Sequence, residues 1–175
     1  PRGGMFNADH ICRQFAKSYG GTSETLYAPA YAENPEQKHA FMQNATVKQT
    51  LDLARKADVA LVGIGDMSEN SYMVDLGWFT ADEVVQSRML QGVVGDFAGY
   101  DFFDIQGQSA KTVMSDRVIG LSIEEFRPIS EVIAIAAENS KPLAMLGALR
   151  TGVIDVIATS VSNALTVLNL DEQMK

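Results

Sequence analysis

Three short polar segments, each at the end of an apolar run, are the candidates for chemistry in this sequence. They are Gly63-Ile64-Gly65-Asp66, Glu138-Asn139-Ser140-Lys141 and Thr159-Ser160. In open parallel sheets, ligands bind outside the carboxyl ends of the strands, where backbone N–H groups and helix N-termini converge. Because glycine has no Cβ, Gly63 and Gly65 would let a ligand approach the backbone closely. The pattern predicts a small-molecule pocket, and the two glycines taken alone fit a plain tight turn equally well.

Charged residues near glycines supply further candidates. Arg2-Gly3-Gly4 joins a planar guanidinium to a flexible turn, a combination suited to bidentate recognition of phosphate or carboxylate. Lys141 begins a predicted helix, where the helix dipole disfavours a cation, so a nearby anion such as a phosphate would explain it. Asp96 stands among glycines and aromatic residues, where a carboxylate suits sugar hydroxyls. Each candidate also has an ordinary explanation. Lys141 could be a solvated lysine beside the N-cap Ser140, Asp96 could be a turn-forming aspartate, and Arg2-Gly3-Gly4 could be an ordinary loop.

Nucleophilic and metal chemistry have little support in the sequence. The two histidines, His10 and His39, fall on a helix face and in a polar stretch, away from strand ends, so no catalytic triad is indicated. Cys12 lies on an apolar helix face and is interpreted as a core residue. Neither a metal nor a cofactor is expected, since clustered Cys and His ligands are absent from the sequence. Glycosidase-type catalysis stays open, because four carboxylates could converge in space: Asp66, Asp96, Asp104 and Glu138.

Composition restricts the class of protein further. The 175 residues are 46% hydrophobic, enough for a one-domain core, and the formal net charge of -8 argues against a surface that binds nucleic acid. A single cysteine cannot form an internal disulfide and favours a reducing, cytoplasmic location. No apolar run approaches the roughly 20 residues of a membrane helix, and the first residues lack a signal-peptide pattern.

Helices and strands alternate along the chain at the spacing that would position these candidates. Helical periodicity covers residues 7–19, 45–56 (with Asn44 as N-cap), 81–90, 140–151 and 162–168. Strands are predicted over residues 25–28, 57–65, 117–121, 131–137 and 153–158, and residues 102–107 are predicted as a short strand that runs into a turn. The run 57–65 is apolar enough for a central strand buried on both faces. The alternation predicts an α/β fold with a mostly parallel sheet and helices on both faces.

Several blocks, in order along nearly the whole chain, resemble the effector-binding domain of the SorC (sorbitol operon regulator) family of bacterial transcription regulators. The most specific are the Gly-Ile-Gly strand end, the Gly-Val-Val-Gly-Asp stretch with the following Phe-Phe-Asp, and the strand that leads to Lys141 and Ala148-Leu149-Arg150. The blocks are Pro1-Arg2-Gly3-Gly4, residues 7–16, Ala28-Pro29, and residues 57–65, 92–107, 117–121 and 131–159.

The resemblance implies a fold and a set of ligand contacts. The family's domain is similar to the sugar-phosphate isomerase fold of glucosamine-6-phosphate deaminase and ribose-5-phosphate isomerase. By this resemblance, Arg2, Gly3 and Gly4 form an anion-binding loop, and Asn7 adds a polar group beside it. Gly63 and Gly65 line the pocket floor. Asp96 accepts hydrogen bonds from ligand hydroxyls, and Lys141 lies near a phosphate or carbonyl group of the ligand. All of these residues are expected to meet in one cleft.

Two departures from the family pattern bear on the ligand. Glycine is usual just before the Lys141 segment, where this chain has Ala137-Glu138, and an aspartate often follows the threonine at 159, where this chain has Ser160. The first places a negative charge where close backbone approach is expected, and the second removes a carboxylate. A neutral sugar or polyol therefore stands beside a sugar phosphate as the expected effector.

The resemblance further implies that residues 1–175 are an effector-binding domain that lacks its first strand and loop and its N-terminal helix-turn-helix domain. That missing domain would contact operator DNA, and the protein would be a homo-oligomer, a dimer or tetramer whose arrangement the effector shifts. One alternative is an isomerase or deaminase on the same fold that uses Asp96 or Glu138 as a base. Another is a purely structural dimerisation domain.

Overall fold

The computed structural model describes residues 8–97 and 101–175. In these ranges the helices are α1 (Ala8–Tyr19), α2 (Pro35–Gln43), α3 (Ala45–Ala54), α4 (Tyr72–Asp75), α5 (Ala81–Gln91), α6 (Ile123–Phe126), α7 (Pro142–Arg150) and α8 (Val161–Gln173). The strands are β1 (Val59–Asp66), β2 (Val93–Phe97), β3 (Asp101–Asp104), β4 (Glu131–Ile135) and β5 (Val156–Ala158). No helix in the described ranges combines the length and the apolar character needed to cross a membrane.

The five strands form one mixed sheet in the order β3-β2-β1-β4-β5, so β1 is central, as the sequence predicts. Strand β1 pairs in parallel with β4, and β4 pairs in parallel with β5. Strand β2 runs antiparallel to both of its neighbours, β1 and β3. Four of the strands therefore point the same way, and the carboxyl ends of β1, β4 and β5 meet at one edge of the sheet.

Neighbouring side chains of β3 show that the sheet is covered on both faces near β2 and β3. Phe103 packs in a hydrophobic cluster with Met145 of α7, and Phe102 packs in a second cluster with Val84 of α5. Because successive side chains of a strand point to opposite faces, α7 and α5 lie on opposite sides of the sheet. This arrangement confirms the predicted α/β fold class.

The central strand is buried on one face, and this corrects the expectation of burial on both. Ile64 is buried against the cluster that contains α7, whereas Val59 and Leu61 are about half exposed on the other face. In the adjacent strand, Ile135 is also half exposed on that face, since it is the register partner of Gly63. The described chain therefore leaves an open apolar surface on β1 and β4.

Local signals account for most helix boundaries. Asn44 caps α3, as predicted, because its side-chain oxygen accepts the N–H groups of Thr46 and Val47. Thr80 and Glu83 form a reciprocal capping box at the start of α5, and Gly92 ends that helix in the left-handed conformation. Pro142 begins α7 at a position where its missing N–H costs nothing.

Two predicted strands are wrong, because a strand needs a neighbour for its backbone hydrogen bonds. Residues 25–28 form no strand. Residues 117–121 form no strand either, and the first of them ends a short 3₁₀ turn, Ser115–Arg117. The second region pairs with the chain beyond residue 28 through the isolated bridge between Tyr31 and Val118.

Helices α2, α4 and α6 and strand β2 are absent from the sequence prediction. Helix α2 falls in a stretch taken as polar, where Asn34 accepts the N–H of Gln37 at 2.8 Å. Strand β2 contains Asp96, so the alternative explanation of this aspartate as a turn residue is wrong. Strand propensity does not predict β2, because the strand contains a glycine and an aspartate, and both residue types are unfavourable in strands.

Candidate functional site

Gly65 and Asp96 form the centre of the candidate site. They are register partners in the antiparallel pair β1–β2, and Asp96 is only 3% exposed. The carboxylate lies over the glycine so closely that an added Cβ on Gly65 would overlap Oδ2 of Asp96. Glycine at 65 is therefore required by the approach of a side chain, whereas the sequence suggested the approach of a ligand.

Gly63 lies two residues earlier on β1 and therefore on the same face as Gly65. An added Cβ there would meet nothing within 4 Å, so the surface above Gly63 is open. Together, the two glycines leave a shallow floor that ends at the Asp96 carboxylate.

Lys141 immediately precedes α7 and forms an ion pair within its own loop. Its Nζ lies 3.0 Å from Oε1 of Glu138, and the lysine side chain is 19% exposed whereas that of Glu138 is 63% exposed. The anion expected beside Lys141 is thus Glu138 itself, the residue that departs from the family pattern. Burial raises the pKa of Glu138, but the hydrogen bond and charge of Lys141, with nearby backbone N–H groups, lower the pKa by more, so that it falls below its ordinary value.

The loop that carries this pair is anchored by α8. Asn163 is 2% exposed, and its Nδ2 donates to the carbonyl oxygens of Ala137 and Glu138, at 3.2 Å each. Ser160 caps α8, since its hydroxyl accepts the N–H of Asn163 at 3.2 Å. The serine that replaces the family's usual aspartate therefore starts the helix that holds the Lys141 loop.

These residues surround one cavity of about 760 Å³. Gly63, Gly65, Asp96 and Lys141 all line it, together with Asp66 at the end of β1. Its volume falls in the range of small-molecule pockets, about 300–1,000 Å³. The four candidates that lie in the described residues are thus brought together at the carboxyl edge of the sheet, as the sequence predicts.

An aromatic wall completes this end of the cavity, and sequence reasoning did not assign it to the site. Tyr72 and Trp78 line the cavity and pack edge to face, with ring centroids 5.9 Å apart. Ser71 also lines it, and its buried hydroxyl has no hydrogen-bond partner among the described residues. The clustering of aromatic residues after β1 was visible in the sequence, but nothing local indicated that the chain folds back over the strand end.

The other candidates either fall outside the described residues or have an environment different from the one expected. Arg2, Gly3, Gly4 and Asn7 are outside the described residues. Cys12 is exposed and α1 buries no residue, so the interpretation of Cys12 as a core residue is wrong. Asp104 accepts the N–H groups of Gln106 and Gln108, so this carboxylate serves a turn. Within residues 8–97 and 101–175, no three His, Cys, Asp or Glu side chains are grouped so as to hold a metal ion.

Comparison with known proteins gives this site its context. Residues 1–169 match the family model described as "Putative sugar-binding domain". The chain belongs to this family. A solved structure described as the "Putative Sugar-Binding Domain of Transcriptional Repressor from Vibrio fischeri" is 60% identical, with a TM-score of 0.89. The match covers 95% of this chain and 66% of that one.

Two further matches connect the sugar-binding domain to whole regulators. The full-length sorbitol operon regulator SorC from Klebsiella pneumoniae shares the fold at a TM-score of 0.84 and 24% identity, over 93% of this chain and 53% of that one. The erythritol catabolism regulatory protein EryD of Brucella abortus (strain 2308) is 27% identical over 146 residues, 83% of this chain and 45% of EryD. The resemblance to SorC-type effector-binding domains is confirmed, and the chain spans about half the length of the curated relatives it matches.

Proposed function

We propose that this chain is the effector-sensing domain of a sugar-responsive, DNA-binding transcriptional regulator, and that its effector is a small sugar, sugar phosphate or polyol. The observation that carries the proposal is the convergence of Gly65, Asp96 and Lys141 on one cavity, in a chain that belongs to a sugar-binding family. One end of the cavity lies at the carboxyl ends of parallel strands, where ligands of open α/β sheets bind.

Each residue has a distinct role in this proposal. Asp96 accepts hydrogen bonds from ligand hydroxyls, and Lys141 donates to an anionic or carbonyl oxygen of the ligand. Gly63 and Gly65 form the floor, and Tyr72 and Trp78 contact the apolar side of the ligand. Arg2, Gly3, Gly4 and Asn7 add an anion-binding loop and a polar group. A ligand pocket of this kind combines a few directed polar groups with apolar and aromatic lining.

The signal would be a shift in population. The effector binds one arrangement of a homo-oligomer, a dimer or tetramer, better than another, and this difference changes the spacing of DNA-binding segments. The chain's net charge of -8 disfavours contact with the phosphate backbone of DNA. This charge supports a regulator in which another segment of the polypeptide contacts operator DNA. Curated relatives of about twice the matched length support such a segment. The proposed transcriptional role supports a cytoplasmic location.

A thermal-shift screen of the purified protein against neutral sugars, polyols and their phosphates tests the proposal. A ligand present at 100 times its dissociation constant stabilises the folded state by roughly 2.7 kcal/mol, which is readily detected. We expect stabilisation confined to one class of sugar or polyol, and its loss in Lys141→Ala and in Asp96→Asn. If no ligand raises the melting temperature, this result would contradict the proposal and favour a structural dimerisation domain.

The proposal also requires that the site does not turn its ligand over. Asp66 and Asp96 line the cavity with Lys141, so an isomerase or deaminase that uses a carboxylate base is the alternative to test. Incubation of the protein with aldose and ketose phosphates should leave them unchanged. Interconversion that Asp96→Asn abolishes would establish the enzyme and overturn the sensor.

A further inference from the structure

Helix α8 carries an apolar stripe on its outer face. Its buried residues, Asn163 and Val167, face the rest of the fold. Val161, Leu165 and Leu168 lie on the opposite face and are 78%, 57% and 61% exposed. A surface helix normally places polar and charged residues on the face that points away from the core. The stripe is therefore an apolar surface that the described chain leaves uncovered.

The stripe has the spacing of a contact between two helices. Its three residues are separated by four and then three positions, and this interval forms one continuous seam when two helices pack along their length. Four positions after Leu168, the seam continues at Glu172, which is also exposed. The outer face of α8 is thus an apolar seam with a carboxylate at its C-terminal end.

The charges at the two ends of α8 are unbalanced within the chain. The first turn has no acidic residue, so no side chain of that turn compensates the positive end of the helix dipole. Near the other end, Asp171 pairs with Arg150 at 2.8 Å and with Lys175 at 2.9 Å. Glu172 has no ion-pair partner among the described residues. One end of the seam lacks an anion, and the other end has an unpaired one.

An antiparallel pair of α8 helices matches these two ends. With a two-fold axis between Leu165 and Leu168, Leu165 of each copy packs against Leu168 of the other. Glu172 then lies beside Val161 of the second copy, at the first turn of that helix, where backbone N–H groups and the dipole stabilise an anion. Because the contact is isologous, the same match occurs twice. The outer face of α8 is therefore complementary to itself in shape and in charge.

We propose that the outer face of α8 is the contact between two copies of this chain, paired antiparallel along the stripe. The inference supplies the subunit contact of the homo-oligomer in the proposed function, and it rests on that function for its role in sensing. On its inner face, α8 anchors through Asn163 the loop of Lys141, a residue that lines the cavity. A ligand that shifts this loop would therefore act on the helix that forms the subunit contact.

Sedimentation velocity of the purified chain over a concentration series tests the contact. A single helix-to-helix seam is smaller than the standard interface of about 1,200–2,000 Å², so we expect a reversible dimer whose fraction rises with concentration. Leu165→Glu and Leu168→Glu should each weaken the dimer at least about tenfold, since each buries a charge in the apolar seam. Glu172→Gln should weaken it about two- to fivefold, through loss of the charge–dipole contact.

Met89→Glu is the matched control for the two leucine variants. Met89 is exposed on α5, which lies on the opposite side of the sheet from α7 and α8. The variant adds the same charge to the chain and should leave the dimer unchanged. Circular dichroism checks that each variant is folded. An equal weakening in Met89→Glu would show that net charge and not the seam controls association, and would overturn the proposal.

Disulfide cross-linking tests the antiparallel direction. Val161→Cys and Glu172→Cys are made as separate proteins in a Cys12→Ser background, because Cys12 is exposed, and are then mixed and oxidised. The proposal predicts a mixed disulfide between the two proteins, since position 161 of one copy lies beside position 172 of the other. A disulfide between two copies of Val161→Cys in its place would indicate a parallel pair and overturn the proposed contact.

Two further outcomes would contradict the proposal. A dimer that Val59→Glu abolishes and Leu165→Glu leaves intact would lie on the open apolar surface of β1 and β4. A chain that stays monomeric at every concentration would leave the stripe to a different partner. Ligand binding is judged separately. A monomer that binds a sugar keeps the sensing function without this contact, whereas a dimer that binds none keeps the contact and contradicts the sensing function.

Discussion

The carboxylate of Asp96 lies directly over the Cα of Gly65, its register partner on the neighbouring strand. The aspartate is almost fully buried, and the glycine leaves the space that its side chain occupies. The position of the carboxylate in the cavity therefore depends on the absence of a Cβ one strand away.

Gly65→Ala should displace the Asp96 carboxylate, since the new methyl group overlaps Oδ2. We expect a loss of about 1–3 kcal/mol in the free energy of unfolding, as for other overpacked positions. Binding of the effector should weaken at least about tenfold, which corresponds to 1.4 kcal/mol. Urea unfolding and titration calorimetry measure the two effects.

Gly63→Ala is the stability control for that variant, because an added Cβ at this position has open space on the same strand and face. Its free energy of unfolding should stay within about 0.5 kcal/mol of the parent. Equal losses in the two variants would show that strand propensity, and not the Asp96 carboxylate, determines the cost.

Asn163→Ala should loosen the loop that holds Glu138 and Lys141. The substitution removes two hydrogen bonds from a side chain that is 2% exposed, to the carbonyls of Ala137 and Glu138. We expect about 1–3 kcal/mol of destabilisation, measured by urea unfolding. Asn169→Ala, at an exposed position on the same helix, should change stability by no more than about 0.5 kcal/mol. A comparable loss in both would assign the effect to α8 as a helix.

Phe97→Ala should be among the most damaging core substitutions. Phe97 is fully buried, and its ring packs edge to face on Phe126 with centroids 5.1 Å apart. Removal of the ring leaves a cavity and should cost about 3–5 kcal/mol. Calorimetric melting provides the measurement, with Phe15→Ala on the exposed side of α1 as the small-effect comparison. A loss below that of Phe15→Ala would contradict the packing seen at β2.

Acid should destabilise the protein in part through Glu125. Burial raises the pKa of this carboxyl, but the backbone N–H of Ser122 and the guanidinium of Arg55 lower the pKa by more, and the net shift is downward. Its folded-state pKa is therefore below that of the unfolded chain. The stabilisation is fully present above the ordinary glutamate pKa, about 4.3, and is lost as pH falls through the lower folded-state pKa.

Urea unfolding of the parent and of Glu125→Gln at a series of pH values from about 6 to 3 tests this linkage across the ordinary glutamate pKa. The parent should lose more stability than the variant over this range, because the variant has no carboxyl to protonate at position 125. Parallel curves for the two proteins would assign the acid sensitivity to other carboxylates.

Much of this protein could be predicted from local patterns. The helices α1, α3, α5, α7 and α8 and the strands β1 and β4 follow from periodicity and capping, because such signals depend on residues a few positions apart. Gly63, Gly65, Asp96 and Lys141 could be named because each lies near glycines or at the end of an apolar run. Parallel strands end at the same edge of a sheet. The predicted parallel sheet therefore also predicted that these four residues would converge at that edge.

Only the tertiary structure decided how those residues meet. The register of β1 against β2 places Asp96 over Gly65, and the return of α8 places Asn163 under the loop of Glu138 and Lys141. The chain after β1 likewise brings Tyr72 and Trp78 to the cavity. Each of these relationships depends on strand register or on the path of the chain between elements, which no local periodicity encodes. Residue types therefore determined what chemistry was available here, and packing determined which groups share one cavity.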